Sequence, residues 1–114
     1  QNPIPNASRI GNIVMSSVIG PSNPGTRDIP PTLEAQVTNL FVHLRAAITA
    51  AGGTPDDFLK IDFWAKDQAA VRAALNAEWE KMFPDPSARP ARHTQALPAD
   101  SRAMIQCAFT AVIG

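Results

Sequence analysis

The chain has little of several features, and each shortage excludes a class of protein. Its 114 residues include one cysteine, Cys107, which excludes an internal disulfide and a multi-cysteine metal site and fits a reducing cytoplasm. Ten basic and ten acidic side chains leave no net charge, without the basic stripe typical of nucleic-acid binders. No apolar run approaches the roughly 20 residues that span a bilayer. We therefore expect a cytoplasmic protein that binds neither nucleic acid nor membrane.

The ends and the length of the chain support further expectations. Residues 1–5 are polar and interrupted by proline, unlike a signal peptide. No initiator methionine is present, so a longer natural N-terminus stays open. The length suits one hydrophobic core, and we predict a single domain over residues 1–114.

Hydrophobic periodicity and capping residues predict seven elements. Gly11-Asn12 favours a two-residue hairpin turn, Thr32 and Asp67 are typical N-caps, and Gly52-Gly53 is a typical helix end. The predicted elements are strands 8–10 and 13–19, a helix 33–51, a strand 58–65, a helix 68–83, and strands 91–96 and 103–113. This order predicts an α+β fold with both helices on one face of a single sheet.

The strand faces predict an oligomer. The last strand is apolar on both faces, with Ile105 and Phe109 on one side and Ala108 and Val112 on the other. Two helices can cover only one face of such a sheet. We expect a second copy of the chain to bury the other face, since a monomer rarely exposes so large an apolar patch.

Arg92 begins an alternating stretch that places Arg92, Thr94 and Ala96 on one face of a strand. A guanidinium offers five donors in a planar fork that can hold a carboxylate by two parallel bonds. Held on a strand, this fork would form a rigid anchor for a small acid. The alternative is an edge-strand arginine in a surface ion pair.

Several short motifs follow one another in the order of a known family. Pro90-Ala91-Arg92, Leu97-Pro98 and the apolar last strand resemble the C-terminal signature of the RidA/YjgF family of reactive-intermediate deaminases. Residues 10–17 resemble its first hairpin, residues 50–52 its first helix end, and residues 75–79, after Asp67, its second helix. The resemblance extends from about Arg9 to Val112.

This resemblance implies a fold, an assembly and a site. The fold is chorismate-mutase-like, with one mixed sheet, and the assembly is a homotrimer with pockets between subunits. The family's carboxylate-binding arginine corresponds to Arg92, its pocket asparagine to Asn76 and its hairpin serine to Ser16. Thr94 corresponds to a residue whose backbone helps to hold a water. No metal and no organic cofactor are implied.

Three departures from the family pattern concern the chemistry. Gln106 occupies the position of a glutamate in deaminating members, and an amide cannot accept a proton from water near neutral pH. Ser16-Ser17 replaces a Ser-Gly pair, so Ser17 adds a side chain where backbone is expected to approach the substrate. The pocket tyrosine has no counterpart, because the chain contains no tyrosine.

The resemblance favours a hydrolase that deaminates small 2-imino and enamine acids, with Arg92 and Gln106 as catalytic residues and Ser16, Ser17, Asn76 and Thr94 binding the substrate. The first alternative is a non-catalytic trimeric protein that binds or senses small carboxylates such as 2-keto acids. RNA cleavage, ascribed to some relatives, is disfavoured by the balanced charge, and other small-acid chemistry also stays open.

Four further side chains have a structural and a functional interpretation each. A buried, inert Cys107 is favoured over a reactive thiol. His43 is expected at the surface or hydrogen-bonded within the fold, and Trp79 is expected in packing or as a pocket wall. His93 is expected on the sheet face opposite Arg92, with a pocket role across a subunit boundary as the alternative.

Overall fold

Five strands and two helices follow in the predicted order in the computed structural model, which describes residues 5–114. Residues 1–4, to which most of the signal-peptide comparison refers, lie outside the described part. The elements are β1 (Ala7–Ile10), β2 (Ile13–Ser16), α1 (Leu33–Ala50), β3 (Phe58–Ala65), α2 (Gln68–Met82), β4 (Ala91–Ala96) and β5 (Ile105–Val112). Two 3₁₀ turns, Pro55–Asp57 and Pro86–Ala88, precede β3 and β4.

The strands form one mixed sheet in the order β1-β2-β5-β3-β4. Strands β3 and β4 are parallel, with Ile61 opposite Arg92, and the other pairs are antiparallel. The parallel pair is possible because α2 carries the chain back across the sheet between β3 and β4. The predicted α+β fold with one mixed sheet is confirmed, and β4 is an edge strand with a single neighbour.

The helix boundaries follow the predicted capping chemistry. The Thr32 hydroxyl accepts a hydrogen bond from the Ala35 amide at 3.2 Å, and the Asp67 carboxylate accepts one from the Ala70 amide at 3.0 Å. Gly52, with φ of 89°, ends α1 in the left-handed region that favours glycine. These caps satisfy backbone groups that the helix ends leave without partners.

The core lies between the two helices and one face of the sheet. Phe63 of β3 links both helices, since its ring centroid is 6.1 Å from Phe41 of α1 and 6.4 Å from Trp79 of α2. The fully buried side chains around it include Leu40, Leu44, Ile48, Ile61, Leu75, Ile105 and Cys107. Burial of so many apolar side chains on this one side of the sheet supplies the main stabilisation of the fold.

Six predicted boundaries differ from the structure by one to three residues, and the largest differences are at the end of β2 and the start of β5. Strand β2 ends at Ser16 and does not reach Ile19, because the Phe109 amide of β5 donates to the Ser16 side chain and not to a β2 carbonyl, so the β2–β5 ladder stops there. Ile19 returns only as an isolated bridge to Cys107. Strand β5 begins at Ile105, since the Met104 amide donates to the buried side chain of Gln36, and α2 ends at Met82.

The sheet face opposite the helices is uncovered in the single chain. Ile10, Ile13 and Val112 lie side by side on it, 85, 52 and 42% exposed, and Met15 beside them is 56% exposed. Such a contiguous apolar surface is typical of an interface between proteins. That a second copy of the chain covers this face stays a prediction. No helix in the described part of the chain has the length and apolarity needed to cross a membrane.

Candidate functional site

Arg92 lies on the helix side of the edge strand β4. Its Cα partner is Ile61, and Thr94 is opposite Phe63. Because Ile61 and Phe63 point into the core and paired residues share a face, Arg92 and Thr94 point the same way. At the sheet edge the helices no longer cover this face fully, so both side chains are only half-buried.

The guanidinium of Arg92 is held by two residues of α2. Its Nη2 donates to Oδ1 of Asn76 at 2.5 Å, and its Cζ lies 5.0 Å from the ring centroid of Trp79. Trp79 is itself buried, in edge contact with Phe83 at 4.7 Å between centroids. Cation–π attraction and a hydrogen bond therefore fix the plane of the fork. Trp79 packs in the core and supports the guanidinium from below, but it is not among the residues that line the cleft.

One donor of Arg92 has no acceptor among residues 5–114. Its Nη1 is buried and makes no hydrogen bond to any described residue. A buried donor without an acceptor costs about 1–3 kcal/mol. Burial lowers the pKa of Arg92, and the charge of Arg72 lowers it further, although an arginine remains protonated under all ordinary conditions. The site therefore presents a cation in a fixed orientation beside the cleft, which suits a carboxylate ligand.

The cleft in front of Arg92 has a volume of about 480 Å³. Val71 and Leu75 of α2 are its apolar lining residues. The polar lining residues are Gln68, Arg72, Asn76, Arg92, His93 and Thr94. No carboxylate is among the described residues that line it, so the cleft is positively charged in a protein without net charge.

The hairpin serines lie away from this cleft in the single chain. Strands β5 and β3 lie between β2 and β4, so Ser16 is two strands away from the strand that carries Arg92. The Ser16 hydroxyl accepts a hydrogen bond from the Phe109 amide at 2.9 Å. The Ser17 hydroxyl lies 3.2 Å from the carbonyls of Pro5 and Asn6, and Ser17 lines a separate cleft beside α1. Their predicted role at the pocket stays a prediction that needs a neighbouring chain.

Gln106 is also on another surface. Its Cα partner on β3 is Trp64, which alternates with the core residues Phe63 and Ala65. Gln106 therefore points to the uncovered face, whereas Arg92 points to the helix side. One chain brings Arg92, Asn76 and Thr94 together and leaves Gln106 apart from them.

The two histidines differ in their surroundings. His43 Nε2 lies 2.7 Å from Ser22 O, so His43 is hydrogen-bonded within the fold, as expected. His93 is opposite Asp62 in the β3–β4 ladder, on the uncovered face, and also borders the Arg92 cleft. Within residues 5–114, no group of three His, Cys, Asp or Glu side chains could hold a metal ion.

Arg72 and Gln68 belong to the cleft but were not predicted. They precede Asn76 at four-residue intervals along α2. Four-residue spacing places side chains on one helix face. This polar stripe was visible in the sequence, and placing Asn76 beside Arg92 would have identified it.

Comparison with known proteins gives a consistent match. Residues 2–109 match the family model described as Endoribonuclease L-PSP. A RutC family protein of Haemophilus influenzae is 36% identical over 81 residues, which cover 71% of this chain and 62% of that protein. The 2-iminobutanoate/2-iminopropanoate deaminase of Escherichia coli K12 is 31% identical over 101 residues, covering 85% of this chain and 78% of that protein.

Solved structures extend the match to the fold. The YjgF gene product of E. coli superposes with a TM-score of 0.83 at 28% identity, covering 96% of this chain and 87% of that one. E. coli TdcF with bound serine gives a TM-score of 0.86 at 22% identity, covering 100% of this chain and 91% of the other, and shows a shared fold.

Proposed function

The chain belongs to the RidA/YjgF family, whose model is described as Endoribonuclease L-PSP, and on this premise we propose that it hydrolyses small 2-imino and enamine acids. The observation that carries the proposal is the Arg92 fork, fixed by Asn76 and Trp79 beside a cleft that no described carboxylate lines. The E. coli relative named as a 2-iminobutanoate/2-iminopropanoate deaminase supports the same substrate class.

In the proposed reaction, the protein acts mainly by positioning the substrate and a water molecule. Arg92 holds the substrate carboxylate, and the water oxygen adds to the neighbouring C=N carbon. The C–N bond then breaks, the nitrogen leaves as ammonia and the carbon keeps the oxygen as a 2-keto acid. Because imines hydrolyse readily in water, holding the carbon towards an ordered water is the main contribution that we propose for the protein.

We propose that a homotrimer completes the site. The uncovered apolar face formed by β1, β2 and β5 requires a cover, and we propose that a neighbouring chain covers it and presents its own β4 edge beside this face. In this assembly Ser16, Ser17 and Gln106 of one chain would act with Arg92 of another. Gln106 would hold the water by hydrogen bonds but could not accept its proton.

The test is ammonia release from the imine of a small amino acid, generated in situ by an amino-acid oxidase. Wild type is expected to release ammonia and 2-keto acid faster than the uncatalysed reaction, and Arg92→Ala to remove the acceleration. Arg45→Ala, an exposed arginine on α1, serves as the matched control. Equal rates for wild type and Arg92→Ala would remove Arg92 from the mechanism.

A second candidate function is favoured by Gln106 and by the acid-free cleft. No described carboxylate lines the Arg92 cleft, so a proton acceptor for turnover is missing there. The protein would then bind 2-keto acids or related carboxylates without converting them. This function predicts Arg92-dependent binding of a 2-keto acid, measured by calorimetry, together with no ammonia release from any imine. Ribonuclease activity is not proposed, because the balanced charge offers no track for RNA.

A further inference from the structure

A second arginine lines the cleft of Arg92. Arg72 is exposed on α2, one turn before Asn76, and faces the cleft with Gln68 and Asn76 as one polar stripe beside β4. Asn76 holds the Arg92 fork directly, so this stripe is fixed in orientation relative to Arg92. The cleft therefore has two guanidinium groups, one from the strand and one from the helix.

Among the described residues, no acidic side chain neutralises either of the two arginines. Arg72 and Arg92 form no salt bridge with any residue in the described range 5–114, whereas Lys60 and Lys81 each pair with a carboxylate. After burial, the charge of Arg72 is the second cause that lowers the pKa of Arg92, so the two cations repel each other. Two cations that share an acid-free cleft favour a ligand with two negative groups.

We propose that Arg72 determines substrate specificity, and that the preferred substrate is a 2-imino acid with a second carboxylate on its side chain. Arg92 holds the carboxylate next to the C=N carbon, as in the proposed function on which this inference rests. Arg72 holds the distal carboxylate from the opposite wall. A cleft of about 480 Å³ has room for a short diacid.

The experiment compares a monoacid imine with a diacid imine, formed in situ by amino-acid oxidases from alanine and from aspartate or glutamate. Arg72→Gln is expected to lower kcat/KM for the diacid by roughly tenfold or more, which is the usual effect of losing a hydrogen bond between charged groups. The kcat/KM for the monoacid should fall by a clearly smaller factor, because the monoacid loses only a nearby positive charge and no direct ion pair. Arg72→Lys should retain part of the preference, and Arg45→Gln, an equal charge change on α1, should retain all of it.

Three results would overturn the inference. Equal losses for both imines would give Arg72 a general electrostatic role, and no loss for either would give it none. A loss for both that accompanies a changed oligomeric state in sedimentation would assign Arg72 to assembly. In all three cases, ammonia release by the wild type would leave the proposed function intact.

A binding measurement can show that the proposed hydrolysis fails while the proposed specificity of Arg72 holds. Calorimetry with a 2-keto diacid and a 2-keto monoacid measures the preference without turnover. If no imine is hydrolysed but the diacid binds about tenfold more tightly and loses this advantage in Arg72→Gln, the proposed hydrolysis fails and the specificity of Arg72 stands. If both keto acids bind equally to wild type, the diacid preference is wrong.

Discussion

Oδ1 of Asn76 lies 2.5 Å from Nη2 of Arg92, so an amide on the exposed side of α2 sets the orientation of the guanidinium on β4. An amide oxygen can orient the fork without neutralising it. A carboxylate at the same position would form an ion pair and compete with the ligand. This difference makes residue 76 a sensitive test of the anchor.

Asn76→Asp is expected to weaken binding of a small 2-keto acid by at least roughly tenfold, because the new carboxylate occupies the fork. Asn76→Ala should weaken it less, by a few fold, since it removes only the orienting hydrogen bond. Calorimetric titration measures both. Asn76 is exposed, so the unfolding midpoints should remain close to that of wild type, and equal affinity in Asn76→Asp would contradict the anchor.

Gln106→Glu should increase imine hydrolysis by roughly a hundredfold if proton transfer limits the reaction. The gain requires the ionised carboxylate, so it should disappear as the pH is lowered through the pKa of the new glutamate. Wild type should lack this acid limb, because an amide does not titrate. Gln106→Met, of similar volume, is the control, and an unchanged rate in Gln106→Glu would show that the missing acid is not limiting.

Met15→Lys is expected to dissociate the oligomer. Met15 lies on the uncovered face next to Thr110, and a charge there would be buried without a partner in any assembly that covers this face. Sedimentation analysis of wild type and variant measures the change. Val42→Lys is the matched control, since Val42 is a similarly exposed apolar residue on α1, 45% against 56% for Met15. A monomeric wild type would disprove the oligomer.

Cys107 should not react with a thiol reagent until the protein unfolds. Complete burial raises its pKa well above the ordinary value of 9.0, so the folded protein holds almost no thiolate at pH 8. The raised pKa also means that above pH 9 the unfolded state binds fewer protons, and stability should decrease as the pH rises further. Rapid stoichiometric labelling of the native protein would contradict this prediction.

Local signals were enough to predict most of the secondary structure. Thr32, Asp67 and Gly52 mark helix ends because capping and left-handed backbone depend on neighbouring residues only. The end of β2 was missed because it depends on a distant group, the Phe109 amide, which donates to the Ser16 side chain. A pattern of apolar residues cannot report such contacts.

The candidate site was predicted in part. Arg92 and Asn76 lie 16 residues apart in sequence and are hydrogen-bonded in the structure, and their roles in binding stay predictions. Arg72 was not identified, since a lone arginine on a polar helix face resembles any solvated charge. Whether Arg72 belongs to a site depends on which strand lies beside that helix face.

The order of elements, the helix ends, the buried faces and the family could all be predicted from the amino-acid sequence, because they depend on local chemistry and on short motifs in a fixed order. Which side chains meet depends on the folded chain. It placed Arg92 on the helix side of the edge strand and Gln106 on the uncovered face, because strand alternation sets the face and sheet order sets the neighbours. Long-range pairing is the physical reason that the sequence alone could not separate these two residues.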